Sequence, residues 1–155
     1  MTLRRLSATL LRLIGALSVF ACTRTVVTRD PGSAQSQVEF RLARDASFQG
    51  AVAGTTPDSR VIHMEPTVLA SGPDIRAVAV DRGQQGYDVL LFIHEAAAAR
   101  LHQATAGNVG QRIAILVDGA VVLAPVLTGP IGSDIAISGG STREEAMALA
   151  KRLAP

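Results

Sequence analysis

From residue 38 onward, short apolar runs alternate with polar, glycine-rich breaks. Val38, Phe40 and Leu42 alternate with Glu39 and Arg41, the period of a half-buried strand. The stretch DASFQGAVAGTTPDSR that follows is rich in Gly, Thr, Ser and Asp and reads as a long surface loop, part of the loop from Asp45 to Pro66. VIHMEPTVLAS offers a short strand interrupted by Pro66. DIRAVAVDRG predicts a strand closed by Gly83 and Gly86, and YDVLLFIHE is apolar enough for a central strand.

AAAARLHQATAGNVG predicts a helix. Ala97, Leu101 and Ala104 fall on one face, and Gly107, Asn108 and Gly110 offer its stop. QRIAILVDGAVVLAPVL is the strongest local signal. Asp118-Gly119 between two β-branched runs predicts a two-residue hairpin turn of the kind that needs positive φ. Pro125 has no N–H for a ladder, so its strand is an edge or ends in a bulge there. DIAIS supplies one more strand. In the last segment, GGSTREEAMALAKRLAP, Thr142 with Glu145 makes a capping box; Ser141 with Glu144 is the other frame. Ala146, Leu149, Ala150 and Leu153 form the buried stripe of that helix. Glu144 and Glu145 suit the positive end of its dipole, and Lys151 and Arg152 the negative end. The order predicts an α+β domain: a mostly antiparallel sheet of four or more strands, with two helices on one face.

The first 37 residues follow another rule. Arg4, Arg5 and Arg12 precede an apolar run, Leu13 to Ala21, too short to span a bilayer. Residues 1–21 are therefore expected to be a signal peptide; Arg4-Arg5 alone is a weak twin-arginine signal. Cys22 is the single cysteine of the chain. Val19-Phe20-Ala21 before it resembles a bacterial lipobox, with Phe20 departing from the usual smaller residue. Ordinary cleavage after Ala21 and a leftover buried Cys are the rival readings. Acylation explains both the solitude and the place of the thiol, because an unpaired Cys in an exported chain has no internal disulfide to make. Residues 22–37, polar and lacking a period, then read as a lipid-anchored tether, with the α+β domain at 38–154. The expected location is the periplasmic side of the cell envelope. The outer membrane is favoured over the inner, since Thr23 rather than Asp follows Cys22.

Composition narrows the functions. Of the 15 basic residues three lie in the first 21 positions, where there is no acid, which leaves 12 bases against 13 acids. That balance, with aromatics at 3%, disfavours nucleic-acid binding. The three histidines are His63, His94 and His102; the last two lie eight apart, no metal-ligand spacing, and read as surface groups beside a loop His63. No Gly-x-Ser-x-Gly elbow surrounds Ser133, Ser138 or Ser141, and SGGST reads as a bulge and helix cap rather than a phosphate cradle. The expectation is no catalytic residue, no metal, no cofactor and no small-molecule substrate.

ATAGNVGQRIAILVDGAVVLAPVLTGPI followed by DIAISGGSTREEAMALAKRL resembles the head subdomain of the periplasmic region of SecD, the bacterial translocation accessory subunit. The resemblance rests on Thr105, Asn108 and Gly110, on Ala114-Ile115, on Asp118-Gly119, on Ala124-Pro125 with Ile131, and on Ile137, Gly139 and Thr142 to Ala146. VEFRLAR and GPDIRAVAV extend it to roughly 38–154. It implies the head fold, with Gly110, Asp118, Gly119, Pro125, Thr142 and Glu145 as turns and caps. It also implies a surface that handles polypeptide or an envelope partner in protein export. SecD-type subunits carry transmembrane helices that this chain lacks, so proton-driven movement is not implied. A structural, scaffolding lipoprotein is the other expectation; a small hydrolase is a third, which the site search disfavours.

Overall fold

A computed structural model describes residues 24–28 and 36–155. The strands are β1 (Thr25–Val27), β2 (Val38–Arg44), β3 (Val52–Thr55), β4 (Val61–Met64), β5 (Ala70–Ser71), β6 (Ile75–Arg82), β7 (Tyr87–Ile93), β8 (Arg112–Val117), β9 (Ala120–Leu123) and β10 (Asp134–Ser141). The helices are α1 (Glu95–Ala106) and α2 (Arg143–Leu153). The class is α+β, and every strand pairing among the described residues is antiparallel.

The strands divide between two sheets. The first is four-stranded, ordered β1-β6-β7-β10. The second is six-stranded, running β3-β4-β2-β8-β9 with β5 paired to β2. The central place expected for YDVLLFI holds, since β7 lies between β6 and β10. Alternation decides what each sheet buries. Val38, Phe40 and Leu42 of β2, Ile113, Ile115 and Val117 of β8, and Val89, Leu91 and Ile93 of β7 share one core with both helices. Helix α2 lays Ala146, Ala150 and Leu153 onto the four-stranded sheet, and α1 contributes Ala97, Ala98 and Leu101.

Three local expectations need correction. Residues 22–37 do not serve wholly as a tether. Thr25–Val27 pair with Val78–Val80, burying Val27 in the main core. Gln37 is tied to the β8–β9 turn, its N–H donating to Asp118 Oδ1 at 2.8 Å and its C=O accepting from Asp118 N. A three-residue strand is too short to show a period, so a polar flank conceals it. The rest of that segment, with Cys22, lies outside the described residues. The second correction is the 45–60 loop, which contains β3. Its Val-Ala-Gly-Thr sequence carries little strand preference, and pairing with β4 supplies what propensity does not. The third is His63, which stands on β4 rather than in a loop, half-buried, its Nδ1 without a hydrogen-bond partner among the described residues.

Helix α1 turns its buried stripe slightly from the expected one. Thr105, not Ala104, completes it after Ala97 and Leu101. A fully buried hydroxyl is tolerated because it is satisfied twice. It donates to Leu101 O at 2.6 Å and accepts from Ile131 N–H at 2.8 Å. The 124–133 segment is thereby clasped to the helix.

Candidate functional site

The six-stranded sheet curls, and its second face encloses a smaller core of Ala43, Ile62, Met64, Ala114, Leu116 and Val121. The curl brings β3 and β9, its two edge strands, close together. A Cβ added at Gly54 would stand 2.9 Å from Val121 Cγ2 and 2.7 Å from Met64 Cε. Between them lies a cleft of about 400 Å³, walled by Val52 to Thr55 on one side and Gly119 to Val121 on the other. Its floor carries Glu39 and Arg41, paired at 2.7 Å, with Met64 and Leu116 beside them. Arg41 is further fixed by donating to Pro66 O at 2.8 Å. The Glu39–Arg41 pair is neutral and tied, and the β3 and β9 edges beside it leave main-chain donors and acceptors open.

Of the sequence-chosen residues, Gly119 lines this cleft and Asp118 adjoins it in the chain, whereas Gly110, Pro125, Thr142 and Glu145 are not among its lining. Asp118 and Gly119 take φ of 52° and 78°, the two positive values of a type I′ turn, at the end of the β9 wall. Gly110 has φ of 90°, and its N–H donates to Leu127 O at 2.9 Å. Pro125 is exposed two residues beyond the end of β9, and its C=O accepts from Ile113 N–H. Thr142 and Glu145 cap α2 reciprocally, at 3.2 and 2.9 Å, in the first of the two frames considered. Asn108 donates to Ala104 O at 2.7 Å and closes α1. Sequence reasoning missed Gly54, Glu39 and Arg41 as neighbours of one cleft. Their signal is a glycine in an edge strand, a place of close approach, but it lay inside a segment read as loop.

Gly119→Val is expected to destabilise the fold by about 1–3 kcal/mol, since a β-branched residue is strained at positive φ. Gly107→Ala is the control: its φ is ordinary and open space surrounds the added methyl. Urea unfolding should separate the two; equal shifts would contradict the turn's role.

Elsewhere, Asp74 joins the 3₁₀ turn Gly72–Asp74 to α1. Burial pushes its carboxyl up, but donation from Ser71 N–H and Oγ–H and from Arg100, at 3.1 Å, outweighs this and holds it below the usual carboxylate range. A second cleft of about 490 Å³ lies between Ser36–Glu39 and Ser71–Pro73. It offers no free strand edge, because β2 is already paired on both sides. Among the described residues, no group of three or more His, Cys, Asp and Glu is placed to hold a metal ion, and no helix is long and apolar enough to cross a membrane.

Among the described residues, two antiparallel sheets, the six-stranded one curled, two helices and an open-edged cleft define a small α+β head domain. Residues 49–154 match the family described as SecDF, P1 head subdomain, and the chain belongs to that family. It is 33% identical over 130 residues to the protein translocase subunit SecD of Acidaminococcus fermentans, a span that covers 83% of this chain and 31% of that relative. The chain thus spans about a third of the relative's length. Among solved structures, SecDF in a super-membrane-facing form matches at 27% identity with a TM-score of 0.58, over 77% of this chain and 18% of that one. SecDF of Thermus thermophilus, described as a translocon-associated membrane protein, matches at 26% with a TM-score of 0.57, over 77% and 19%.

Proposed function

We propose that this chain is a non-enzymatic envelope lipoprotein, anchored through Cys22 and facing the periplasm, whose head domain holds extended polypeptide and assists protein export. The observation that carries the reading is the cleft between β3 and β9, bounded by two free strand edges in a domain of the SecDF head family. An extended segment adding to the β3 edge makes main-chain hydrogen bonds that are indifferent to sequence, while every second side chain turns toward the cleft. Affinity without sequence preference is what a factor serving many exported chains requires. The tied Glu39–Arg41 pair leaves the cleft floor neutral, so the binding should tolerate moderate salt. Thr23 after Cys22 supports the outer membrane as the anchor's destination.

A photoreactive side chain at Val52, on β3 and 46% exposed, tests the location. It should give adducts with an unfolded secretory protein, whereas the same group at Arg143, exposed at the start of α2, should not. Equal labelling from both positions would refute the cleft as the site.

A further inference from the structure

The outer face of the four-stranded sheet belongs to neither core. Val26, Ala79, Leu90 and Ala136 are consecutive cross-strand partners on β1, β6, β7 and β10, so they form one apolar row across the whole sheet. Val26 is 64% exposed at one end and Ala136 is exposed at the other, while Leu90 is half-buried and Ala79 is fully buried between them. Two residues along β7 from Leu90 stands Phe92, with the guanidinium of Arg24 at 5.6 Å and that of Arg76 at 5.9 Å from its ring. Two residues the other way stands Asp88, beside Asp81. Arg24 is paired with Asp81 at 3.6 Å, whereas Arg76 and Asp88 have no ion-pair partner among the described residues. Asp134 flanks Phe92 on the β10 side.

This pattern is complementary to itself. Leu90 is the midpoint of a face that carries an unpaired cation with an aromatic ring at one end and an unpaired anion at the other, each about 7 Å from the midpoint at an ordinary strand rise of ~3.4 Å. A two-fold axis lying along the apolar row turns the strands end for end. It lays Leu90 of one copy over Leu90 of the next, and Asp88 of each over the Phe92–Arg76 end of the other. Sheets packed face to face stand about 10 Å apart, within reach of an Arg and an Asp side chain together. The arrangement is isologous, with Leu90 at its centre, Phe92 and Arg76 beside it, and a charged rim. We infer that this face is where a second copy of the chain docks, forming a two-fold dimer through the outer face of the four-stranded sheet. A membrane surface fits less well, because Asp81, Asp88 and Asp134 all lie on the face.

Sedimentation equilibrium of the full-length chain, purified in mild detergent, tests the inference. The wild type should dimerise. Arg76→Asp and Asp88→Arg should each weaken dimerisation by about tenfold or more, since each brings like charges together or strands a charge. The double variant should regain the dimer, because the axis then restores each pair with its signs reversed. Leu90→Asp should give a monomer, with circular dichroism showing the fold intact. A monomeric wild type overturns the inference, as does a dimer indifferent to both single substitutions or a double variant that stays monomeric. A wild type whose face is covered only by a different protein or by vesicles overturns it equally.

Discussion

Phe40→Ala is expected to lower the stability of the domain by about 3–5 kcal/mol, read as a shift of the urea midpoint at unchanged slope. Phe40 is fully buried on β2 and faces the core shared by both sheets and both helices. The chain has four Phe, one Tyr and no Trp, so its core is built from aliphatic side chains with few large ones. Deleting one ring leaves a cavity that surrounding Val, Ile and Ala side chains fill poorly, and the lost transfer energy adds to the cost of that cavity. The loss is a large part of the roughly 5–15 kcal/mol that stabilises a typical domain. Phe48→Ala is the contrast. Phe48 lies in neither core and stacks under Arg44 at 5.0 Å, so its loss should cost about 1 kcal/mol or less. Similar costs for both would contradict the placement of the core.

Cys22→Ser is expected to move the protein from the membrane fraction to the soluble one. A single acyl chain anchors marginally, whereas several hold firmly, so loss of the attachment point should act as a switch rather than a gradation. Mass spectrometry of the wild type should show the lipid on Cys22. Unchanged partitioning, with no lipid on the wild type, would contradict the anchor. The strand at Thr25 alters what the anchor does. Arg24 is two residues from Cys22, a reach of about 7 Å at full extension. An acylated chain would therefore hold the edge of the four-stranded sheet at the bilayer surface, where a 16-residue tether would have lifted the domain clear.

The parts of the fold that local pattern dictates were legible. Two β-branched runs around Asp118-Gly119 announce β8 and β9, and the 2-residue alternation of VEFRLAR announces β2, because side chains alternate faces wherever a strand covers a core. Strand β7 could be placed centrally because its run is apolar on both faces. What the sequence concealed is long-range. Nothing local to Val-Ala-Gly-Thr declares a strand, since β3 exists through its pairing with β4. Nothing in Thr25–Val27 declares pairing with β6, more than fifty residues away. The division into two sheets follows from those pairings and from the curl that closes the smaller core. The cleft was illegible for the same reason: Glu39, Gly54 and Val121 meet only once β3 and β9 approach from opposite edges. The motif residues Thr105, Asn108 and Gly110 carry the resemblance to the family, yet their work is to close α1 and hold the loop after β9, and none of them lines the cleft where polypeptide is proposed to bind.

Amide NMR of the Thr23–Pro155 fragment, titrated with a reduced, unfolded secretory protein and separately with its folded form, tests the polypeptide-binding claim most directly. Ordering a flexible chain costs entropy that sequence-tolerant contacts repay only in part, so dissociation constants on the order of micromolar or weaker are expected. The account predicts shifts with the unfolded form, clustered on Val52–Thr55 and Gly119–Val121, and little change with the folded form. No shifts with either, at protein concentrations on the order of hundreds of micromolar, or shifts of equal size with both, would contradict it.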